Sequence, residues 1–211
     1  IFIPLDLSIT QLNLTQTQAV IGELEQAIES LTLSARWQGY ELALDELVID
    51  IADLEPLRAR GALTFDKAWP LNLSAELAIP ERADLAALGG RTLDVTANGD
   101  LGNLSMVVNS AGLPDVALSM TADLLSPGLP HEAVAELLWP EGSSLGTAFE
   151  LEGALASAQI LGPAQLQVQG TLDDQAIEIS TRLGGMGYQS LAVMAKGRWA
   201  APRLNIQSLS L

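Results

Sequence analysis

Apolar and polar residues alternate one by one over long stretches of this chain. The run Leu71-Asn72-Leu73-Ser74-Ala75-Glu76-Leu77 is one example, and Val116-Ala117-Leu118-Ser119-Met120 is another. Successive side chains of a β-strand point to opposite faces of its sheet, so this alternation predicts strands with one buried and one solvated face. We count roughly fifteen such runs at a spacing of about 10 to 15 residues, which is typical of all-β folds.

The alternation changes phase once, in the region of residue 47. Leu42 and Leu44 give way to Leu47, Ile49 and Ile51, so the aliphatic positions move from even to odd numbers. A strand can keep one apolar face across such a change only if a bulge or a turn absorbs one residue. Turn-forming pairs separate other runs, and they include Asn98-Gly99, Pro114-Asp115, Asp173-Asp174 and Gly184-Gly185.

Three stretches leave the choice between helix and strand open. Between residues 17 and 30 the apolar residues recur at a helical spacing. Residues 130–139 begin with a proline, which is tolerated in the first turn of a helix. Residues 80–88 fit a brief helical connector.

Composition narrows the class of protein. Apolar residues make up 48% of the 211 residues and charged residues 17%, which provides a core and excludes disorder. The formal net charge of −16 repels the phosphates of nucleic acid, so we expect no nucleic-acid partner. The chain has no cysteine, which is compatible with an oxidising compartment such as the periplasm.

The chain shows neither a signal peptide nor a run of apolar residues long enough to cross a membrane. It begins at Ile1 and ends within an alternating pattern at Leu211. We therefore expect an internal piece of a longer protein, and we expect residues 1–211 to form one continuous β-rich segment without an internal domain boundary.

No constellation for catalysis or metal binding is evident. His131 is the single histidine, and it follows Pro130 in a loop-like stretch without a nucleophile or ligand nearby, so we expect a surface residue. Glu150 and Glu152 share a strand face, but they lie among turns and wet faces, where a solvated carboxylate is the norm. The sequence therefore predicts no enzyme, no cofactor and no metal.

Glycine and tryptophan recur at the boundaries of the runs. An irregular Gly-x-Leu unit appears in Gly61-Ala62-Leu63, Gly99-Asp100-Leu101, Gly153-Ala154-Leu155 and Gly170-Thr171-Leu172. A glycine near a strand end permits a sharp bend or a close approach of the next strand. The tryptophans Trp37, Trp69, Trp139 and Trp199 lie near turns, where they either cover the ends of the sheet or pack in its core.

Several segments of the sequence together resemble a known family. They are Ala35-Arg36-Trp37-Gln38-Gly39-Tyr40-Glu41-Leu42-Ala43-Leu44, Gly61-Ala62-Leu63-Thr64-Phe65, Trp69-Pro70-Leu71-Asn72-Leu73, Leu93-Asp94-Val95-Thr96-Ala97-Asn98-Gly99 and Leu137-Leu138-Trp139-Pro140. They resemble the TamB family, the inner-membrane-anchored partner of an outer-membrane barrel of the TamA type in the translocation and assembly module. The wider AsmA-like group is similar more loosely.

The resemblance implies a long, curled β-sheet, the β-taco, with one continuous apolar concave face that holds phospholipid acyl chains. It implies a periplasmic section of a protein that carries lipid between the two membranes or supports outer-membrane protein assembly. The TamA-type partner would bind another part of the parent chain. The groove candidates are Leu42, Leu44, Leu63, Phe65, Leu71, Leu73, Leu77, Leu93, Val95, Val116, Leu118, Met120, Leu166, Val168, Ile177 and Ile179.

Two other functions stay open on the sequence alone. A structural or adhesin-like β-solenoid would bury the same leucines in a sealed core and carry no lipid. A β-helical enzyme acting on polysaccharide would need clustered carboxylates and exposed aromatic residues along one cleft, and the sequence offers few of either. Alternating leucines are more often ordinary core than ligand groove, so the groove interpretation depends on the resemblance.

Overall fold

Antiparallel strands account for most of the residues that can be described. The structure is a computed structural model, and it describes residues 3–21, 24–51, 55–79, 90–112, 114–140, 142–146, 153–185, 187–200 and 203–210. The chain divides into two compact units, Ile1–Ser110 and Ala111–Leu211.

The first unit is a sheet of seven strands whose order follows the chain. They are β1 (Ile3–Ile21), β2 (Leu24–Gly39), β3 (Glu41–Ile51), β4 (Leu57–Thr64), β5 (Leu71–Ile79), β6 (Arg91–Asp100) and β7 (Asn103–Ala111). Each pairing whose register is defined joins strands that are neighbours in the sequence, and each is antiparallel.

The second unit adds strands in the same manner, with one interruption. They are β8 (Asp115–Ala122), β9 (His131–Leu138), β10 (Gln159–Ile160), β11 (Ala164–Gly170), β12 (Asp174–Gly185), β13 (Tyr188–Ala200) and β14 (Arg203–Ser210). The order is β8-β9-β11-β12-β13-β14, and the two-residue β10 pairs with β12 beyond the end of β11. In neither unit do the described strands close on themselves. The predicted all-β class is confirmed, and the sheet is open and antiparallel.

The predicted change of phase near residue 47 is a β-bulge inside β3. Opposite β2, Glu46 is the partner of Ser34 and Leu44 is the partner of Ala35, so Asp45 is the extra residue. The register with β4 shifts at the same place. Because the bulge absorbs one residue, the aliphatic residues before and after it lie on the same face of the sheet.

The stretches that left helix and strand open resolve into strands where they are described. The main chain from Thr17 to Ile21 pairs with that from Leu24 to Ile28, so a helix is excluded for these residues. Residues 131–138 form β9, which pairs with β8 on one side and β11 on the other. The possible helical connector at 80–88 lies outside the described residues.

Close approach of neighbouring strands explains three of the four recurrent glycines, and two of them serve as examples. A Cβ atom on Gly61 would lie 2.2 Å from the main-chain oxygen of Asn72 on β5. A Cβ atom on Gly170, which has a φ of +151°, would lie 2.1 Å from the main-chain oxygen of Asp174. Both distances are far below van der Waals contact, so these positions require glycine. Around Gly153, by contrast, a Cβ atom would meet nothing within 4 Å.

Burial is shallow in both units. The buried apolar residues among those described are Ala35, Ala97, Leu104, Ala122, Ala158, Ile160 and Leu183. Small alanines make up more than half of this set, and no large side chain among the described residues is fully buried. Within the described part of the chain, no helix combines the length and the hydrophobicity that a membrane crossing requires.

Candidate functional site

In the first unit, the strand register places aliphatic residues opposite one another. Leu63 is the partner of Leu42 on one side and of Leu71 on the other. Leu77 is the partner of Leu93. Partners in antiparallel strands point to the same side of the sheet. We call this side the apolar face of the first unit, and it carries Leu42, Leu44, Leu63, Leu71, Leu73, Leu77, Leu93 and Val95.

The second unit has an apolar face of the same kind. Leu118 is the partner of Ala135, Ala135 of Leu166, and Leu166 of Ile179. These rows form the apolar face of the second unit, which carries Val116, Leu118, Met120, Leu166, Val168, Ile177 and Ile179. Each of the sequence-predicted groove candidates except Phe65 therefore lies on one of these two faces.

The side chains of the two apolar faces are accessible. None of the predicted groove residues belongs to the buried class. Ile179 is 47% exposed, and the others are half-buried. Aliphatic side chains that remain half-exposed on one side of a sheet form an extended apolar surface, and surfaces of this kind are typical of interaction sites.

Aromatic rings cover one end of the apolar face of the first unit. The ring of Trp37 stacks on that of Phe65 at a centroid distance of 4.7 Å, and Trp69 meets Phe65 edge-on at 5.0 Å. Trp37 is the strand partner of Leu42, and its indole nitrogen donates a hydrogen bond of 3.0 Å to the main-chain oxygen of Gly39. Phe65, Trp37 and Trp69 thus cap the strand ends. For these two tryptophans, this is the first of the two interpretations of the sequence, that tryptophan covers the ends of the sheet.

A cluster in the second unit is more deeply buried, and sequence reasoning missed it. Ala158 is fully buried, and Ile160 of β10 and its partner Leu183 of β12 are nearly so. The main-chain nitrogen of Ile160 donates to the oxygen of Ser143, which joins β10 to the segment before it. Residues 158–160 show no long alternation, so the sequence lacks the signal that revealed the other strands.

The opposite faces of the sheet carry the charged groups. In the first unit Arg36 forms a two-pronged ion pair with Asp45, with distances of 2.7 and 2.8 Å. In the second unit Lys196 lies 2.7 Å from Glu178, and Arg198 pairs with Asp174 through both of its carboxylate oxygens. Hydrogen bonds from the arginines lower the pKa of Asp45 and that of Asp174. Most charged groups are therefore separated from the apolar surface in each unit. Arg91 is an exception, because it is buried and, as the strand partner of Ile79, lies on the apolar face of the first unit.

Hollows in the first unit lie on the charged face. One of about 610 Å³ is bordered by Arg58, Arg60, Glu76 and Asp94, and a neighbouring one of about 540 Å³ shares Arg60. Neither is a place for an acyl chain, because a hydrocarbon there would desolvate charged groups.

The chemistry-bearing residues singled out in the sequence do not assemble into a site. His131 is the first residue of β9 and is half-buried, so its predicted place in a loop is wrong. Its Nδ1 atom lies 2.9 Å from the main-chain oxygen of Leu129. Glu150 and Glu152 lie outside the described residues. The part of the chain that is described contains no group of His, Cys, Asp and Glu suited to hold a metal ion.

Comparison with known proteins finds a family match. The protein-family model described as "TamB, N-terminal domain" matches residues 1–211. No curated protein and no solved structure matches the chain. The TamB family is associated with the bacterial envelope. Since the family model covers the whole sequence, this chain belongs to the TamB family.

Proposed function

We propose that the apolar faces of this chain conduct phospholipid through the periplasm between the inner and outer membranes. The protein acts as a passage and not as an enzyme, and it has no cofactor. Support for outer-membrane protein assembly follows from the same placement, with a TamA-type partner bound elsewhere on the parent chain. Family membership supports the envelope setting, and the two half-exposed apolar faces support the route for lipid.

The observation that carries the proposal is the incomplete burial of the groove candidates. In a sealed β-solenoid, side chains such as Leu73 and Leu118 would be buried against a second layer of the same protein. Both are half-buried instead, and Ile179 is exposed. A partner made of hydrocarbon would complete their burial. The sealed-core alternative gains no support from the described residues.

The energetics suit transient occupancy. Burial of each CH₂ group of an acyl chain contributes about 0.8 kcal/mol, so a few contacted methylene groups are enough to retain a lipid. Aliphatic side chains offer little directional bonding, and successive rows repeat the same chemistry. An acyl chain can therefore move from one row of side chains to the next without a large difference in free energy between positions.

Site-specific photo-crosslinking in cells tests the proposal. A photo-reactive amino acid at Leu73 or Leu118 should capture phospholipid, because both lie on apolar faces. The matched probes at Ser74 and Ser119 differ by one position along the same strands and point to the other face. They should capture none. Equal capture from both faces, or none from the apolar one, would count against a conduit.

Substitution of a charged residue on the apolar face is a second test of the proposal. Leu118→Asp should leave the chain folded, because a half-buried position lets the carboxylate keep contact with water. It should reduce lipid capture at Ile179, on the same apolar face, because an unpaired carboxylate among acyl chains is costly. Ser119→Asp on the charged face is the control and should leave capture unchanged. Unfolding of Leu118→Asp, measured by circular dichroism, would instead favour a sealed core.

A further inference from the structure

An orphan hydroxyl group interrupts the apolar face of the second unit. Thr181 lies on β12 between Ile179 and Leu183, and strand alternation places the three side chains on the same side. Its partner on β13 is Val193. The Oγ1 atom of Thr181 is shielded from solvent and has no hydrogen-bond partner among the described residues. A buried hydroxyl without a partner is unfavourable and calls for an explanation.

Packing does not supply that explanation. Valine has nearly the same shape and favours strands as strongly, so it would fill the position without an unpaired polar atom. Thr181 as a whole is half-buried although its hydroxyl is shielded. A rotation of 120° about χ1 exchanges the hydroxyl with the methyl group or the hydrogen on Cβ. The hydroxyl can thus turn toward whatever occupies the face.

We propose that Thr181 donates a hydrogen bond to an ester carbonyl oxygen of the lipid that lies on the apolar face of the second unit. This inference rests on the proposed function and adds a chemical preference to it: the lipid is ester-linked and pauses with its glycerol end at Thr181. Hydrocarbon contacts hold the chains, and this hydroxyl fixes their position along the face.

The first unit offers a parallel. Ser110 on β7 is 3% exposed, and its Oγ atom also lacks a partner among the described residues. Strand alternation places it on the same side of β7 as the buried Leu104. In the described part of each unit one unpaired hydroxyl therefore lies among aliphatic neighbours on its own strand, and Thr181 has an exposed neighbour, Ile179, beside which a lipid can reach it.

Competition between matched lipids tests the proposal. The full chain is loaded from an equimolar mixture of diester and diether phosphatidylethanolamine with the same chain length, and the bound lipids are counted by native mass spectrometry. The ether lipid lacks the carbonyl acceptor. The wild type should retain the diester about fivefold over the diether, the ratio that one net hydrogen bond supports. Thr181→Val should retain both equally, and Thr181→Ser should keep the preference.

Each other outcome is decisive. No preference in the wild type, or an unchanged preference in Thr181→Val, would overturn the role of Thr181 while lipid loading itself upheld the proposed function. Failure of the wild type to load either lipid would overturn both. A parallel titration with palmitate separates a glycerol ester from a free fatty acid: if Thr181→Val weakens only palmitate binding, the ester assignment is wrong. Circular dichroism checks that both variants fold.

Discussion

The two units maintain an apolar face by different means. In the first unit, β3 contains an extra residue, Asp45, and the register with both neighbouring strands shifts there. In the second unit, β8, β9, β11 and β12 pair without a register shift from Asp115 to Ser180. There the interruption lies at the end of a strand, where β10 takes over the pairing with β12. The first unit thus corrects its phase inside a strand. In this part of the second unit the phase of the aliphatic residues does not change, and the interruption lies between β10 and β11; a bulge inside a strand follows further on, at Gln207 of β14.

The location of each interruption decides which residues surround it. The bulge in β3 leaves Asp45 on the charged face, where Arg36 holds it with two hydrogen bonds. The break before β11 brings Ile160 against Leu183 and creates the most buried cluster among the described residues. An internal bulge thus preserves an accessible apolar face, whereas a break at a strand end closes part of it.

Deletion of single residues in β3 should give the largest effect and would test the bulge directly. Removing Ala43 leaves the bulge in place but turns Leu42 toward the charged face and Glu41 toward the apolar face. We expect a loss of about 4 kcal/mol in the free energy of unfolding, because leucine is exposed and a carboxylate is buried. Urea denaturation monitored by tryptophan fluorescence measures it.

Removing Asp45 is the matched control for that deletion. Leu42, Leu44, Leu47 and Ile49 then alternate without interruption, so every aliphatic residue keeps its face. The deletion should therefore cost far less than the loss of Ala43. If the two deletions were equally damaging, chain length in β3 would matter more than the phase of its side chains.

Truncation of one packed side chain in each unit should give an intermediate loss of stability. The two losses show which unit is the more tightly packed at that place. Ile160 is 6% exposed, so Ile160→Ala should cost about 3 kcal/mol through lost burial and a cavity. Phe65 is only half-buried, and Phe65→Ala should cost about 2 kcal/mol through loss of its stacking on Trp37. Thermal unfolding of each variant gives the order.

Conservative changes at the same positions separate packing from other causes. Ile160→Val and Phe65→Leu retain most of the apolar volume, and each should cost about 1 kcal/mol. A larger loss for Phe65→Ala than for Ile160→Ala would show that the aromatic cap, and not the aliphatic cluster, is the better packed end.

The alternation of apolar and polar residues predicted most of the strands, and the reason is physical. A strand has a side-chain period of two, so the sequence reports directly which residues share a face, and the Leu44 to Leu47 interval reports the bulge. Pairing partners and the end of each strand depend on contacts between distant residues. The sequence therefore could not assign Ile160 to a strand, nor could it show that Trp37 stacks on Phe65.

The helical spacing near residue 28 had a structural cause that the sequence could not reveal. Ile28 is the partner of Ile51 while Ser30 is the partner of Asp50, so Glu29 is an extra residue in β2. This irregularity makes the interval from Ile28 to Leu31 three residues, as in a helix. In residues 131–138, alanine and glutamate favour helix intrinsically, but pairing with strands on both sides overrides that preference.

Acid should reveal the smallest difference, which concerns the ion pairs on the charged faces. The hydrogen bond from Arg36 lowers the pKa of Asp45 below its ordinary value of 3.8, and that from Arg198 does the same for Asp174. A carboxylate whose pKa is lower in the folded state stabilises the fold above the pKa of the unfolded chain. That contribution is lost as the pH falls through the folded-state pKa, so the loss should begin below about pH 4. Both pairs are solvent-exposed, and salt should weaken them further.

Asp45→Asn and Asp174→Asn should each be slightly less stable than the wild type at pH 7, and the difference should shrink at pH 3. Asp173→Asn, next to Asp174 but without an arginine partner among the described residues, is the matched control variant. Urea midpoints at the two pH values, with and without salt, measure the effect. A larger acid effect for Asp45 than for Asp174 would mean that the bulge in the first unit depends on its ion pair, whereas equal effects would mean that backbone pairing alone holds it.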